Sequence, residues 1–300
     1  MKKKLVFIGD TNSINIEIII KSHKFIKNKI KYILIGNKRE FISYNTKLSS
    51  NLKINSVLDP INFFNYDKES LNIFDIQNVS KKKFSNLINQ INFSNYLSSK
   101  SKIDLITMPI NKSLLKKNID FVGMTEYLGH INNKKTTMLM YGNKFSVIPL
   151  TTHINLKDVN LSINKNFLNR NLINILNNIK KKIYNLNFNE IKFLCYNPHC
   201  SENQTLGLED NIISNSVKKF KYVKGPFPAD SAFKNIHLKT LFISMYHDQV
   251  LIPFKILNKK SFNLTLGLNY RRLSPAHGTA SDIKFQNKAD IVSYLECMNF

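Results

Sequence analysis

Short apolar runs rich in Val, Ile, Leu and Phe punctuate the chain, and between them lie longer polar stretches whose apolar residues recur at helical spacing. KLVFIGD, KYILIGN, IDLITMPI, KFSVIPLTT, IKFLCYNP, LKTLFISMYH and FNLTLGL are the strand candidates. Alternating strand and helix patterns describe a parallel sheet covered by helices, because a crossover must carry the chain back to the same end of the sheet. Phe84, Leu87, Ile88, Ile91 and Phe93 mark a helix within residues 80–97. Phe167, Leu168, Leu172, Ile175 and Ile179 mark another within 166–184, and a third starts near Asp210 and runs to Phe220. With 300 residues, 43% of them hydrophobic, the chain is long enough for one large or two ordinary α/β domains.

A formal net charge of +24 would suit a nucleic-acid partner, but its distribution does not. The lysines form short clusters (Lys2 to Lys4, Lys81 to Lys83, Lys180 to Lys182) mixed with Asn and Ile, the pattern of a solvated surface. No nucleic-acid partner is therefore expected. Cys195, Cys200 and Cys297 form no CxxC pair and leave an odd cysteine over, which favours a reducing compartment. The opening MKKKLVFIGD reads as a first strand rather than a signal peptide, because its apolar run ends at Gly9. No stretch approaches the roughly 18 apolar residues of a membrane helix. The expectation is a cytoplasmic protein without a membrane partner.

Several strand runs end in chemically loaded tips: Gly9-Asp10, Pro109 to Lys112, Thr151 to His153, Asn197 to His199 and His247 to Gln249. Ligands of open α/β sheets bind outside the carboxyl ends of the strands, so these tips are the candidate site. His153, His199 and His247 each closely follow an apolar run, about one βαβ unit apart. Neutral imidazole is a common ligand for divalent ions, and three such groups leave positions open for substrate. The alternative for each is a hydrogen-bonded residue at a strand end. Asp248 reads as a further ligand, a group orienting a histidine, or a solvated turn residue. Lys255 follows LIPF, and two readings stand for it: a desolvated amine able to transfer protons, or a side chain reaching out to water. His277, Thr279 and Asp282 surround a glycine in SPAHGTASD and suit either nucleotide contact or a turn. Neither the GxGxxG fingerprint nor a phosphate-loop motif occurs, so a Rossmann reading has no support.

PINKSLL, TTHINLKDV, YNPH, GPFPADSAF, MYHDQVLIPFK, and NLTLGL with Arg272 and AHGTA together resemble the 4-hydroxythreonine-4-phosphate dehydrogenase family of pyridoxal phosphate biosynthesis. The resemblance runs in order along nearly the whole chain. It implies an α/β fold like the isocitrate and isopropylmalate dehydrogenases, with two α/β/α domains around a cleft. One domain would comprise residues 1–120 with 275–300, the other 121–274. It implies a homodimer with its site at the subunit interface, NAD or NADP as cofactor, and a divalent metal (Zn, Mg, Mn or Co). Carried over residue by residue, His153, His199 and His247 match metal ligands, and Met124, Thr125, Lys255, Asn263 and Arg272 fall at substrate-binding positions. His277, Thr279 and Asp282 become the cofactor segment, and Lys255 the candidate catalytic group. The implied reaction is oxidation and decarboxylation of 4-phosphohydroxy-L-threonine.

Two stretches depart from the family pattern. Gly123-Met124-Thr125-Glu126 stands where the family usually has Gly-His-Thr-Glu, and methionine neither carries a proton nor donates a hydrogen bond. The first loop, Gly9 to Glu17, lacks the glycines and prolines usual there. These changes keep two alternatives open: a related dehydrogenase of another phosphorylated hydroxy acid, such as a four-carbon sugar acid phosphate, or a metal- and ligand-binding homologue with impaired catalysis.

Overall fold

Leu5, Val6 and Phe7 have no exposed surface, and this burial on both faces makes the first strand the centre of a covered parallel sheet. The structure is a computed structural model and describes residues 1–116, 122–234 and 236–300. In chain order the strands are β1 (Lys2–Phe7), β2 (Ile30–Gly36), β3 (Ile54–Ser56), β4 (Leu71–Asp75), β5 (Asp104–Thr107) and β6 (Thr137–Gly142). They continue as β7 (Phe145–Pro149), β8 (Glu190–Leu194), β9 (Val223–Phe227), β10 (Thr240–Ser244), β11 (Ser261–Leu266) and β12 (Arg272–Pro275). The helices are α1 (Asn15–Ile26), α2 (Lys38–Lys47), α3 (Lys83–Ser101), α4 (Lys112–Lys116) and α5 (Met124–Ile131). After them come α6 (Lys165–Ile179), α7 (Glu209–Val217), α8 (Ala229–Ala232), α9 (His247–Leu257) and α10 (Val292–Asn299).

Contacts divide the chain into two units, Met1–Val122 with Leu268–Phe300, and Gly123–Gly267. The boundary expected between 120 and 121 falls outside the described residues. The return to the first unit comes at Leu268, earlier than the expected 275, because β12 pairs with β5 through Arg272 and Leu105. Arg272 therefore belongs to the first unit.

The first unit holds a wholly parallel sheet in the order β3-β4-β2-β1-β5-β12. At the carboxyl end of β1, the Asp10 amide donates to the Pro109 carbonyl at 3.1 Å. Gly9 has φ 76, and a Cβ there would stand 2.5 Å from that carbonyl oxygen, so glycine is required. Asn15 takes over part of the tie, its amide donating to the carbonyls of Ile8 at 3.0 Å and Pro109 at 2.8 Å. At the opposite end the fully buried Lys4 ammonium lies 3.3 Å from Asp104, which also accepts from Arg271 at 2.6 Å. Burial pulls the Lys4 pKa down and Asp104 only partly offsets this.

In the second unit β10 is central, flanked in parallel by β7 and β8, with β9 parallel beyond β8. β6 pairs antiparallel with both β7 and β11, so this sheet is mixed where a parallel one was expected. Phe145, Phe242, Phe233 and Phe254 pack ring against ring beneath it. Because β7, β8 and β10 run the same way, the chain leaves all three at one end of the sheet, where His153, His199 and His247 follow.

Other details differ from the sequence expectation. The first expected helix begins at Lys83 rather than residue 80, since the Asn86 side chain holds Ser80 in a loop, accepting from its amide and donating to its carbonyl. The LKTLFISMYH strand ends at Ser244, and the chain continues from His247 as α9. Cys195 and Cys200 are joined as a disulfide, contrary to the unpaired state expected; left-handed residues 199–204 turn the chain back and bring the two Cα atoms to 5.1 Å. Cys297 is free and buried. Among the described residues no helix is long and apolar enough to cross a membrane.

Candidate active site

α5 and the segment after β7 meet around Gly123. A Cβ at that glycine would stand 2.6 Å from Glu126 Oε2 and 3.0 Å from the His153 ring, so a larger residue there would displace the Glu126 carboxylate. Glu126 Oε1 accepts from the Thr152 hydroxyl at 3.0 Å and lies 3.8 Å from His153 Nδ1. Burial alone would raise the Glu126 pKa, but the nearby His153 imidazole and hydrogen bonds from the backbone and Thr152 hold the carboxyl below its ordinary range.

His247 begins α9, and its Nδ1 lies 2.7 Å from Asp248 Oδ1. The rings of His153 and His247 have centroids 6.3 Å apart. Asp248 thus sits on Nδ1 of His247, the arrangement that orients metal-binding histidines through the other nitrogen, while Glu126 stands only within ion-pair reach of His153. His199 stands apart from that arrangement: it is exposed, with φ 48, in the left-handed run that follows β8. Among the described residues no three His, Cys, Asp or Glu side chains are grouped to hold a metal ion. The donor set of the second unit is therefore two imidazoles, and His199 is not brought to them.

Buried Asp210 shapes the His199 loop, accepting from the amides of Tyr196 at 2.6 Å and Asn197 at 3.0 Å and from the Ser201 hydroxyl at 2.8 Å. Gln249 of α9 donates to the Cys195 carbonyl at 2.7 Å and ties the ends of β8 and β10 together.

Thr125 is buried, and its hydroxyl lies 3.3 Å from that of Thr265 on β11. Asn263, two positions along the same strand, faces the same side, and its carbonyl oxygen Oδ1 is buried without a hydrogen-bond partner. A buried acceptor left open beside an ordered hydroxyl pair is a place for a ligand's hydroxyl or amine. Met124 is half-buried at the first position of α5. Lys255 is exposed in the last turn of α9, so the burial entertained for it is absent, and the water-facing reading describes its side chain.

The remaining candidates lie in the first unit. Arg272 is buried and donates through Nε to the Thr107 hydroxyl at 2.8 Å. His277 Nδ1 lies 2.8 Å from the Gly278 carbonyl, and its Nε2 is buried with no hydrogen-bond partner. Burial lowers the His277 pKa, outweighing the Gly278 carbonyl and Asp290. The Thr279 carbonyl accepts from the Ile14 amide at 3.1 Å, which fixes this segment against the loop after β1. Asp282 is exposed nearby.

Sequence reasoning gave no role to Glu126 or Thr265. Thr265 had a readable signal, since period-two alternation in FNLTLGL puts it on the face of Asn263. Glu126 had none, because only the fold brings α5 to the segment after β7.

A family model described as "Pyridoxal phosphate biosynthetic protein PdxA" matches residues 14–300. The chain belongs to the PdxA family. A PdxA-family relative from Campylobacter fetus, named 4-hydroxythreonine-4-phosphate dehydrogenase, is 34% identical over 100% of this chain and 97% of its own length. One of the same name from Sulfurihydrogenibium is 33% identical, covering 99% of this chain and 97% of that protein. The crystal structure of 4-hydroxythreonine-4-phosphate dehydrogenase from Klebsiella pneumoniae superposes with a TM-score of 0.83 at 25% identity, over 100% of this chain and 98% of that one. A terephthalate 1,2-cis-dihydrodiol dehydrogenase from Burkholderia xenovorans shares the fold, with a TM-score of 0.61 at 19% identity. Within this PdxA-family chain, the two imidazoles and the open acceptor on Asn263 both lie in Gly123–Gly267.

Proposed function

We propose that this chain oxidises 4-phosphohydroxy-L-threonine with a nicotinamide cofactor and releases carbon dioxide, giving 3-amino-2-oxopropyl phosphate for pyridoxal 5'-phosphate biosynthesis. The observation that carries the reading is the PdxA-family match over residues 14–300, with relatives of that name aligned end to end. The substrate carbinol gives a hydride to NAD or NADP and its hydroxyl proton to a base. The resulting β-keto acid loses carbon dioxide, and the electron pair left on carbon is protonated.

Thr125 and Asn263 bind polar groups of the substrate, the open Asn263 oxygen accepting from a hydroxyl or amine. Met124 packs against it as an apolar, polarizable surface. Arg272 is the expected partner of a phosphate or carboxylate through its planar fork. Lys255 is the candidate for proton transfer, and as an exposed cation it also suits electrostatic holding of an anionic substrate. His277, Thr279 and Asp282 are the proposed cofactor segment, and the unpaired Nε2 of His277 supports a ligand there. A divalent ion fits the donor chemistry of His153 and His247, with His199 the third expected ligand, and when bound it supplies Lewis-acid polarisation of the substrate hydroxyl. A homodimer in the cytoplasm completes the reading, on the resemblance alone.

Met124 favours a second reading, in which the substrate is a phosphorylated four-carbon sugar acid. The deciding experiment follows nicotinamide reduction by the purified chain with each substrate, with and without a chelator. Reduction with 4-phosphohydroxy-L-threonine supports the first reading, and reduction with the sugar acid alone supports the second. No reduction with either, with cofactor and metal binding verified, overturns both.

A further inference from the structure

A polar cavity of about 240 Å³ lies within the first unit, lined by Thr11, Glu40, Asn78, Lys81, Lys83 and Gln90 among others. It sits at the amino end of α3, a helix of 19 residues. That end has no side-chain cap and no acid in its first turn, and Lys81, Lys82 and Lys83 crowd it instead. Cations at the positive pole of a helix are unfavourable, whereas an anion there gains from the pole, the lysines and the free amides together.

Gln90 supplies an independent observation. It is 6% exposed, lines the cavity, and its side-chain amide has no hydrogen-bond partner among the described residues. A carboxamide so nearly buried is normally paired, so its donor and acceptor await a ligand. The other groups are already fixed in place. Glu40 accepts from the Thr11 hydroxyl and the Asn78 amide, both at 2.7 Å, and keeps further lone pairs. Lys83 lies 2.6 Å from buried Asp10, while Lys81 is exposed with no anionic partner among the described residues.

Both signs of charge therefore face one small polar cavity. A bare phosphate would meet Glu40 as well as the lysines, and a neutral sugar would leave Lys81 unused. We propose that the cavity binds a phosphorylated sugar, with the phosphoryl group at Lys81 and the amino end of α3 and the hydroxyls on Glu40 and Gln90. The shared chemistry is a ribosyl phosphate, carried either by the nicotinamide cofactor or by a free sugar phosphate. The site goes beyond the dehydrogenase reading, and its test reads binding without turnover.

Calorimetry of the full chain with ribose 5-phosphate, ribose and orthophosphate tests it. Ribose 5-phosphate is expected to bind more tightly than either fragment. Lys81→Glu and, separately, Gln90→Leu should each weaken it at least about tenfold. Lys180→Glu, which changes an exposed lysine remote in sequence by the same charge, should not. Displacement of ribose 5-phosphate by NAD assigns the site to the cofactor's ribosyl phosphate, and simultaneous binding assigns it to a free sugar phosphate. Absence of ribose 5-phosphate binding, or equal weakening by Lys81→Glu and Lys180→Glu, overturns the proposal, because general attraction to a +24 chain would then explain the result.

Discussion

His153 and His247 stand with ring centroids 6.3 Å apart; Asp248 Oδ1 lies 2.7 Å from Nδ1 of His247, and Glu126 Oε1 lies 3.8 Å from Nδ1 of His153. A carboxylate on one imidazole nitrogen fixes the ring and makes the other nitrogen a better ligand. Asp248→Asn and Glu126→Gln keep shape and remove charge. Each is expected to weaken divalent-ion binding by about tenfold to a hundredfold. Titration of the metal-free chain with zinc, manganese or cobalt measures this directly, and unchanged affinity in both variants would remove these carboxylates from the site.

The Lys4–Asp104–Arg271 group makes a stability prediction. Lys4 has no exposed side-chain surface, and it also donates to the Cys297 carbonyl at 3.0 Å. Asp104→Ala leaves that ammonium buried without its counter-charge and should cost about 3–5 kcal/mol. Lys4→Met removes the charge and its desolvation together, so it should cost far less. Urea unfolding of both variants checks the order, and a larger loss for Lys4→Met would contradict it.

The fold was readable where burial leaves a pattern, and less so where pairing alone makes a strand. β1, β2, β5, β7, β8, β10 and β11 overlap the apolar runs, whereas β3 is three half-exposed or exposed residues and β9 contains Gly225 and Pro226. VLIPF, after the strand end at Ser244, carried no assignment, because it is apolar in either conformation and periodicity cannot separate a short buried strand from a helix. At the site, His153 and His247 were visible as strand-end histidines. Their carboxylate partners differed in legibility: Asp248 is the next residue, while Glu126 reaches His153 only through the folding of α5 against the segment after β7.

A pH prediction follows from His23, buried on α1 with its Nδ1 2.6 Å from the Tyr32 hydroxyl. Burial, and then Lys27, push its pKa below the ordinary 6.5, while Glu69 and Asp67 only partly oppose them. The unfolded chain therefore takes up the proton first. The stabilisation is present above the ordinary value and is lost as the pH falls through the lowered folded value. The burial-lowered pKa of His277 acts with the same sign. Melting midpoints measured between about pH 8 and 5 should fall toward the acid side, and less steeply in His23→Gln. An equal slope in that variant would clear His23 of the effect.

The last prediction concerns Met124, the departure from the family pattern at the start of α5. The residues around it keep the frame for a polar side chain: Gly123 admits Glu126 and His153, and Thr125 is held against Thr265. Met124→His adds a donor to that frame without changing its neighbours. Where a hydrogen bond to a charged substrate is regained, about 1.5–3 kcal/mol returns, or roughly tenfold to a hundredfold in kcat/KM. If the chain acts on 4-phosphohydroxy-L-threonine, Met124→His should raise turnover of that substrate by this amount. If methionine instead selects a substrate lacking the matching group, the same change should lower activity on the sugar acid phosphate. Steady-state kinetics on both substrates separates the two, and no change on either, with melting preserved, would show that position 124 does not touch the substrate.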